Sequence, residues 1–234
     1  MNKEEFIYEV EKLGIEVNEE KIKKLDDYYE LLITENEKIN LTSITEKEEV
    51  YLKHFYDSLT LFRAYDLNKN INICDVGTGA GFPGVVLKIF FENIDVTLVD
   101  ALNKRIKFLD LVIDKLDLKK IRAIHQRAED FAKENRENFD IVTSRAVARL
   151  NILNELCIPM VKVNGYFIPM KANIDDELNE SKNSIDTLNS ILENIISFKL
   201  PKENSIRNII VIKKISKTDK KYPRNFDKIN KNPL

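Results

Sequence analysis

Asn72-Ile73-Cys74-Asp75-Val76-Gly77-Thr78-Gly79-Ala80-Gly81-Phe82-Pro83-Gly84 decides how the rest of the chain is read. Ile71, Ile73, Cys74 and Val76 make a short apolar run with strand character, and Pro83 suits the first turn of a helix through Val85-Val86-Leu87-Lys88-Ile89-Phe90-Phe91. Between them lie Gly77, Gly79, Gly81 and Gly84, four of the chain's six glycines. An ordinary strand-to-helix turn needs one. Four let the backbone turn tightly and bring its N–H groups and a helix N-terminus close to a ligand, which points to a nucleotide-like cofactor.

Downstream the rhythm is strand, helix, strand. Strands are expected at 71–76, 95–99, 121–125, 139–144, 164–170, 194–200 and 206–214, with helices near 83–92, 103–117, 128–136, 147–162 and 175–193. Such alternation predicts an α/β protein with a mostly parallel, doubly wound sheet. Only Pro201-Lys202-Glu203-Asn204-Ser205 separates the last two strands, too little chain for a crossover, so they should form an antiparallel hairpin. A Rossmann-like, seven-stranded sheet with one antiparallel edge strand resembles the class I S-adenosylmethionine-dependent methyltransferase fold, whereas a dinucleotide-binding domain normally ends in a parallel strand.

Upstream, residues 3–13 and 18–39 read as helices, the second capped by Asn18 and carrying Ile22, Leu25, Tyr28, Tyr29, Leu32, Ile33 and Asn36 at three- and four-residue steps. Asn40-Leu41-Thr42-Ser43 breaks that pattern. A third helix is expected from Thr45, with Glu48 as its capping-box partner and with Val50, Leu52, His54, Phe55, Ser58, Leu59 and Phe62 along it. The expected organisation is a helical N-terminal layer over 1–65, a core over 66–215 and a basic tail over 216–234.

A hydrophobic fraction of 43% with 32% charged residues is that of a soluble globular chain. The charged start Met1-Asn2-Lys3-Glu4-Glu5-Phe6 is not a signal peptide and no apolar run approaches spanning length, so a cytoplasmic protein without a membrane partner is expected. Cys74 and Cys157, without metal-like spacing, read as buried thiols. The net charge of −2 conceals an asymmetry: Lys213 to Asn232 holds eight basic residues against Asp219 and Asp227, a local +6, leaving −8 for the remainder. That basic end is where a polyanionic partner is expected, on a segment loosely ordered when free.

Two cofactors compete for the glycine loop. Gly79-Ala80-Gly81-Phe82-Pro83-Gly84 satisfies G-x-G-x-x-G, which suits NAD. The fuller pattern, an acidic residue at Asp75 followed by Gly77, Gly79 and Gly81, resembles the first motif of S-adenosylmethionine-dependent methyltransferases. There Asp75 would orient the amino acid end of the cofactor and the glycines would let the backbone approach. A dinucleotide site also wants its glycine N–H groups free for a pyrophosphate. Asp100, ending the second strand, is placed to accept from both ribose hydroxyls or to cap the helix after it. Ala128-Glu129 follows the third strand and Ser144-Arg145-Ala146 closes the fourth, at the carboxyl edge where ligands bind in open α/β sheets. His54 and Asp57, at i and i+3, share a helix face.

Together these residues resemble the RsmG (GidB) family of bacterial 16S ribosomal RNA guanine-N(7) methyltransferases. The resemblance rests on Asp75 to Gly84, Asn40-Leu41-Thr42, His54-Phe55-Tyr56-Asp57-Ser58-Leu59, Lys104-Arg105 with Phe108-Leu109, Ser144-Arg145-Ala146, Met170-Lys171-Ala172 and Lys220-Lys221-Tyr222-Pro223-Arg224. It spans nearly the whole chain; Ala80 and Phe82 stand where proline and leucine also occur. The resemblance implies that Gly77, Phe82, Ala128, Glu129 and Arg145 contact S-adenosylmethionine, along with the loop residues Asp75, Thr78, Gly79 and Gly81 and the ribose acceptor Asp100. It keeps His54, Asp57, Arg145 and Lys171 as positioning candidates, with Lys171 on the substrate side.

The implied reaction is methyl transfer to ring nitrogen 7 of a guanine in 16S rRNA or the pre-ribosomal small subunit. That nitrogen carries a lone pair and no proton, so no general base and no metal are expected. Lys171, Lys220, Lys221, Tyr222 and Arg224 are the RNA-binding candidates, lysines for phosphates and Tyr222 and Phe226 for exposed bases. Removing the chain after Ile215 is expected to weaken RNA binding and spare the cofactor. A monomer without an obligatory protein partner is expected. The alternatives are an NAD-dependent oxidoreductase and a non-catalytic RNA-binding protein on the same fold.

Overall fold

The computed structural model describes residues 1–203 and 205–234; Asn204, within the expected connecting turn, lies outside the described residues. Strands β1 (Asn72–Val76), β2 (Asp95–Asp100), β3 (Ile121–His125), β4 (Phe139–Arg145), β5 (Val161–Lys171), β6 (Ser190–Lys199) and β7 (Ile206–Lys214) form one seven-stranded sheet in the order β3-β2-β1-β4-β5-β7-β6. Strands β1 to β5 pair in parallel, while β7 runs antiparallel to both β5 and β6. The antiparallel edge is therefore the β6–β7 hairpin folded back, with reversed β7 inserted beside β5 and β6 outermost. β6 starts earlier than the helical pattern suggests. Asn189 adopts φ +57° and closes the helix Asp175–Thr187 ahead of the strand, a conformation Asn tolerates better than most residues.

Alternation along each strand divides the interior. Ile73, Val96, Leu98, Ile141 and Ile168 face one apolar cluster; Cys74, Val76, Val99, Val142 and Phe167 face another. The first cluster is completed from the N-terminal helices, α1 (Lys3–Lys12) and α2 (Glu19–Ile39), through Phe6, Val10, Leu25, Tyr28 and Leu32. The 1–65 layer thus shares one continuous core with the sheet. Its burial cannot be undone without exposing strand side chains, which ties the layer thermodynamically to the core.

Asn18 caps α2 as expected, its Oδ1 accepting from the Lys21 N–H at 2.9 Å. The Thr45/Glu48 capping box does not form. The third helix begins at Lys47 behind an N-cap, Glu46, that makes no side-chain bond, while the Thr45 carbonyl accepts from Tyr29 Oη at 3.0 Å. That helix changes pitch along its length. α3 (Lys47–Val50) passes into a π-helical stretch over Tyr51–Tyr56, then α4 (Asp57–Leu59) and a 3-10 turn over Thr60–Arg63.

The basic tail is not loosely ordered. Arg224 forms a bidentate pair with Glu155, whose side chain is fully buried, through Nε (2.8 Å) and Nη2 (2.6 Å). Arg136 donates to the carbonyls of Thr218 (2.6 Å), Asp219 (3.3 Å) and Tyr222, and Tyr222 and Ile229 are buried. Composition suggests solvation because the partners, Arg136 and Glu155, lie far away in sequence. Two of the expected RNA-binding residues, Tyr222 and Arg224, are consequently turned inward. Lys220 and Lys221 remain exposed.

Candidate active site at the strand-order reversal

Strands β2 and β4 flank β1 on opposite sides, so the order reverses there and the loops leaving the carboxyl ends of β1 and β4 open a crevice. The glycine loop fills one side. Its four glycine N–H groups are all committed within the protein: Gly77 to Val99 O (2.8 Å), Gly79 to Asp100 Oδ2 (3.0 Å), Gly81 to Thr78 O (2.9 Å) and Gly84 to Asp75 Oδ2 (2.8 Å). A pyrophosphate needs those donors free, so the loop is not built as a dinucleotide cradle. Gly79, with φ +61°, has no atom within 4 Å of where a Cβ would stand, because its Cα faces an open cavity.

That cavity holds about 430 Å³, within the range of small-molecule sites. Of the residues expected to contact a cofactor, Gly77, Thr78, Gly79, Phe82, Asp100, Ala128, Glu129 and Arg145 line it, and so does Ala80. Asp75 and Gly81 do not. Asp75 is fully buried behind the loop, its Oδ2 accepting from Thr78 Oγ1 (2.7 Å) and Gly84 N, and burial raises its carboxyl to about 6. It holds the loop against the start of α5 (Gly84–Phe90) and is corrected from cofactor ligand to loop fastener. Asp100 lines the cavity at 2% exposure. Its Oδ2 accepts from Gly79 N and Arg105 Nη1 (3.1 Å) and its Oδ1 from Leu102 N (2.9 Å), which leaves a lone-pair direction on Oδ1 for a hydroxyl donor. Ala128 and Glu129 open α7 (Ala128–Glu134), and Glu129 is buried and accepts from Arg127 Nε at 2.5 Å.

The N-terminal layer supplies the opposite wall. Asn36 Oδ1 accepts from the N–H groups of Leu41 (2.6 Å) and Thr42 (2.8 Å), which fixes the Asn40-Leu41-Thr42 turn over the cavity. Tyr28 Oη donates to the Ala80 carbonyl and binds α2 directly to the glycine loop, its ring 5.5 Å from that of Phe82. His54 stacks on Phe82 at 4.4 Å.

Arg145 joins the two halves. Nη1 donates to Asp57 Oδ2 (2.9 Å) and to the Lys53 carbonyl (3.0 Å), and Nη2 lies 3.3 Å from His54 Nδ1. Facing an arginine donor, Nδ1 must be the acceptor, so the proton sits on Nε2, which donates to Thr42 Oγ1 at 2.9 Å. Burial, reinforced by the Arg145 charge, depresses the imidazole to about 3, so His54 is neutral.

Behind this cluster lies a second cavity of about 520 Å³, lined by Lys53, Asp57, Lys171, Phe198, Arg207 and Asn208 among others. The two cavities share His54, Arg145 and Ala146. Ala146 takes φ +56° at that common wall, a conformation unusual for a non-glycine residue and of the kind that clusters at functional sites. Asp57 Oδ1 is buried without a hydrogen bond, 3.3 Å from Arg207 Nε. Lys171 pairs with Glu177 (2.8 Å) and donates to the Ala148 carbonyl (2.8 Å).

Lys53, Arg127 and Arg207 escape sequence reasoning as site residues, and Phe226, expected to stack on exposed RNA bases, lines the first cavity instead. Lys53 adjoins His54, so its position beside a candidate was the available signal; Arg207 comes from the hairpin and Phe226 from the docked tail, which no local pattern connects to the glycine loop. Among the described residues no cluster of acidic, histidine or cysteine side chains could hold a metal, and no helix is long and apolar enough to cross a membrane.

A family model described as GidB, rRNA small subunit methyltransferase G, matches residues 21–209. A ribosomal RNA small subunit methyltransferase G of Bacillus subtilis is 53% identical over 237 residues, covering 100% of this chain and 99% of that one. The Staphylococcus carnosus protein of the same name is 50% identical over 232 residues, covering 96% and 97%. Among solved structures, a SAM-dependent O-methyltransferase of Thermotoga maritima matches with TM-score 0.53 at 16% identity, over 80% of this chain and 72% of that one. TYW2 of M. jannaschii in complex with AdoMet matches with TM-score 0.53 at 15% identity, over 67% and 74%. At such identities the structural likeness establishes the class I fold alone.

Proposed function

Because this chain belongs to the rRNA small subunit methyltransferase G family, we propose that it transfers a methyl group from S-adenosylmethionine to ring nitrogen 7 of a guanine in small-subunit ribosomal RNA. The observation that carries the site assignment is the wall common to the two cavities. A donor in the first and an acceptor base in the second would meet across His54, Arg145 and Ala146.

The residues of the first cavity fit the methyl donor. Gly77, Thr78, Gly79 and Phe82 would take its centre, Asp100 its ribose hydroxyls, and Ala128 and Glu129 its adenine end, with no phosphate donors required. When bound, S-adenosylmethionine supplies a methyl group already activated by its sulfonium. The protein's own contribution is position and charge. Arg145, clamped by Asp57 and the Lys53 carbonyl, and His54, pinned between Phe82 and Thr42, keep the shared wall rigid, and such alignment contributes several kcal/mol in well-oriented reactions. A neutral His54 adds no positive charge beside a cationic donor and a base that becomes cationic on methylation. The Asp57 carboxylate, which lines the second cavity and pairs with both Arg145 and Arg207, offsets part of the positive charge of that wall. Lys171 and Arg207 in the second cavity and the exposed Lys220 and Lys221 would hold the RNA.

The test is transfer of labelled methyl from S-adenosylmethionine to small-subunit RNA or pre-ribosomal particles, followed by mapping of the modified nucleotide. The expected product is one 7-methylguanine. Modification of another base, or labelling of protein only, would overturn the proposal.

A further inference from the structure

We propose that the C-terminal segment is a wall of the methyl-donor site, with the ring of Phe226 closing the adenosine end of the first cavity. The inference rests on the reading of that cavity as the S-adenosylmethionine site. Phe226 lines the cavity beside Arg127, Ala128, Glu129 and Leu156, and its ring centroid is 5.0 Å from the Arg127 guanidinium carbon. The opposite end, at Arg145 and the neutral His54, adjoins the second cavity. A flat, weakly polar purine suits the Phe226 end, and the transferable methyl has to lie at the other, where the acceptor cavity begins.

The ring is held there from both sides. Two residues before it, Arg224 grips Glu155 on α8 (Leu150–Cys157), and its own N–H also donates to Glu155 Oε1 at 2.8 Å. Leu156, the next residue of that helix, lines the cavity itself. Three residues after the ring, Ile229 is fully buried in the second apolar cluster, on the short helix α10 (Phe226–Lys231) capped by Asn225. A buried arginine–carboxylate pair and a buried isoleucine thus bracket one partly exposed aromatic ring. Anchors of this strength are unnecessary for a solvated basic tail; they are what a ligand-facing side chain needs to lose little freedom on binding. The tail's charge and its burial then serve different partners, lysines outward and Phe226 inward.

The test compares the full-length chain with Phe226→Ala, Phe226→Leu and Arg224→Ala by calorimetric titration with S-adenosylmethionine, S-adenosylhomocysteine and adenosine. Phe226→Ala should raise all three Kd values by a similar factor, about tenfold, because the ring meets the adenosine part that the ligands share. Phe226→Leu should recover most of that affinity. Arg224→Ala should weaken all three while leaving the ring itself intact. By reciprocity, S-adenosylmethionine should slow tryptic cleavage after Lys220, Lys221 and Lys228 in the parent chain, and this protection should vanish in Phe226→Ala. A parent that binds normally while Phe226→Ala binds equally well overturns this inference alone. A parent that does not bind S-adenosylmethionine overturns the assignment of the cavity, and the inference with it.

Discussion

Replacing His54 with asparagine should flatten the acid side of the stability profile. In the folded chain burial and Arg145 hold the imidazole neutral down to about pH 3; in the unfolded chain it titrates at its ordinary value of 6.5. A depressed folded value means that the unfolded state binds the proton first, so the contribution is intact above 6.5 and is lost as pH falls towards 3. Between about pH 6.5 and pH 5 the loss accumulates at ~1.36 kcal/mol per unit, or about 2 kcal/mol. His54→Asn sacrifices the stacking on Phe82 and the Nε2–H bond to Thr42, lowering stability at every pH, but it also removes this titration. The difference in unfolding free energy between about pH 7.5 and pH 5, measured by urea denaturation, should therefore be about 2 kcal/mol smaller in the variant. An unchanged difference would refute a neutral, buried His54. So would an NMR titration of its ring placing the midpoint near the ordinary value.

Other substitutions separate loop geometry, charge pairing and RNA binding. Gly79→Ala meets no neighbour but must adopt φ +61° and fill the cavity, so it should fold with a loss of about 1–2 kcal/mol and lose most S-adenosylmethionine affinity in a titration. Gly77→Ala, whose Cβ would stand 2.4 Å from Val147 Cγ2 at φ +68°, should lower the melting temperature further. Arg145→Ala leaves the buried Asp57 with Arg207 alone and should cost about 3 kcal/mol; in a double-mutant cycle, Asp57→Asn in the same chain should cost much less than the sum. Replacing Lys220 and Lys221 with glutamine should reduce the log–log salt slope of RNA binding by about one unit for each phosphate no longer neutralised, with cofactor Kd unchanged. Removing the chain after Ile215 should weaken both ligands, contrary to what its composition suggests.

The parts of this protein legible in its sequence are those in which chemistry is local. Four glycines within one loop, the strand–helix alternation and a five-residue link too short for a crossover lead to the class I sheet and to the crevice beside β1. His54 and Asp57 could be paired on one face by spacing alone. What the sequence hides are relations between residues far apart. Asp75 heads the motif and lines neither cavity; one oxygen of its carboxylate, Oδ2, is taken up by Thr78 and Gly84, and Oδ1 is buried without a hydrogen bond. The tail's basic composition hides that Arg224 has a buried partner 69 residues away. Lys53 and Arg207 meet in the second cavity because the N-terminal layer and the hairpin converge there, which no periodicity encodes.

That convergence gives the helical layer a part in the site besides its share of the common core. The sheet alone provides the glycine loop, Asp100 and Arg145. Arg145 without Asp57 and the Lys53 carbonyl would be a mobile cation at the mouth of the crevice, and the wall between the cavities would lack His54. The layer supplies these partners from one helix whose π-helical stretch, Tyr51–Tyr56, places Lys53 and His54 one after the other towards Arg145. Tyr28 then ties the layer to the loop through the Ala80 carbonyl, inside an aromatic cluster with Phe55, Phe82 and Phe108. A Tyr28→Phe variant keeps the cluster and deletes only the tie. It should lose about 1–2 kcal/mol of stability, since the buried carbonyl is left without its donor, and it should weaken S-adenosylmethionine binding although Tyr28 does not line the cavity. Equal cofactor affinity in Tyr28→Phe and the parent would mean that the layer acts on the acceptor side alone.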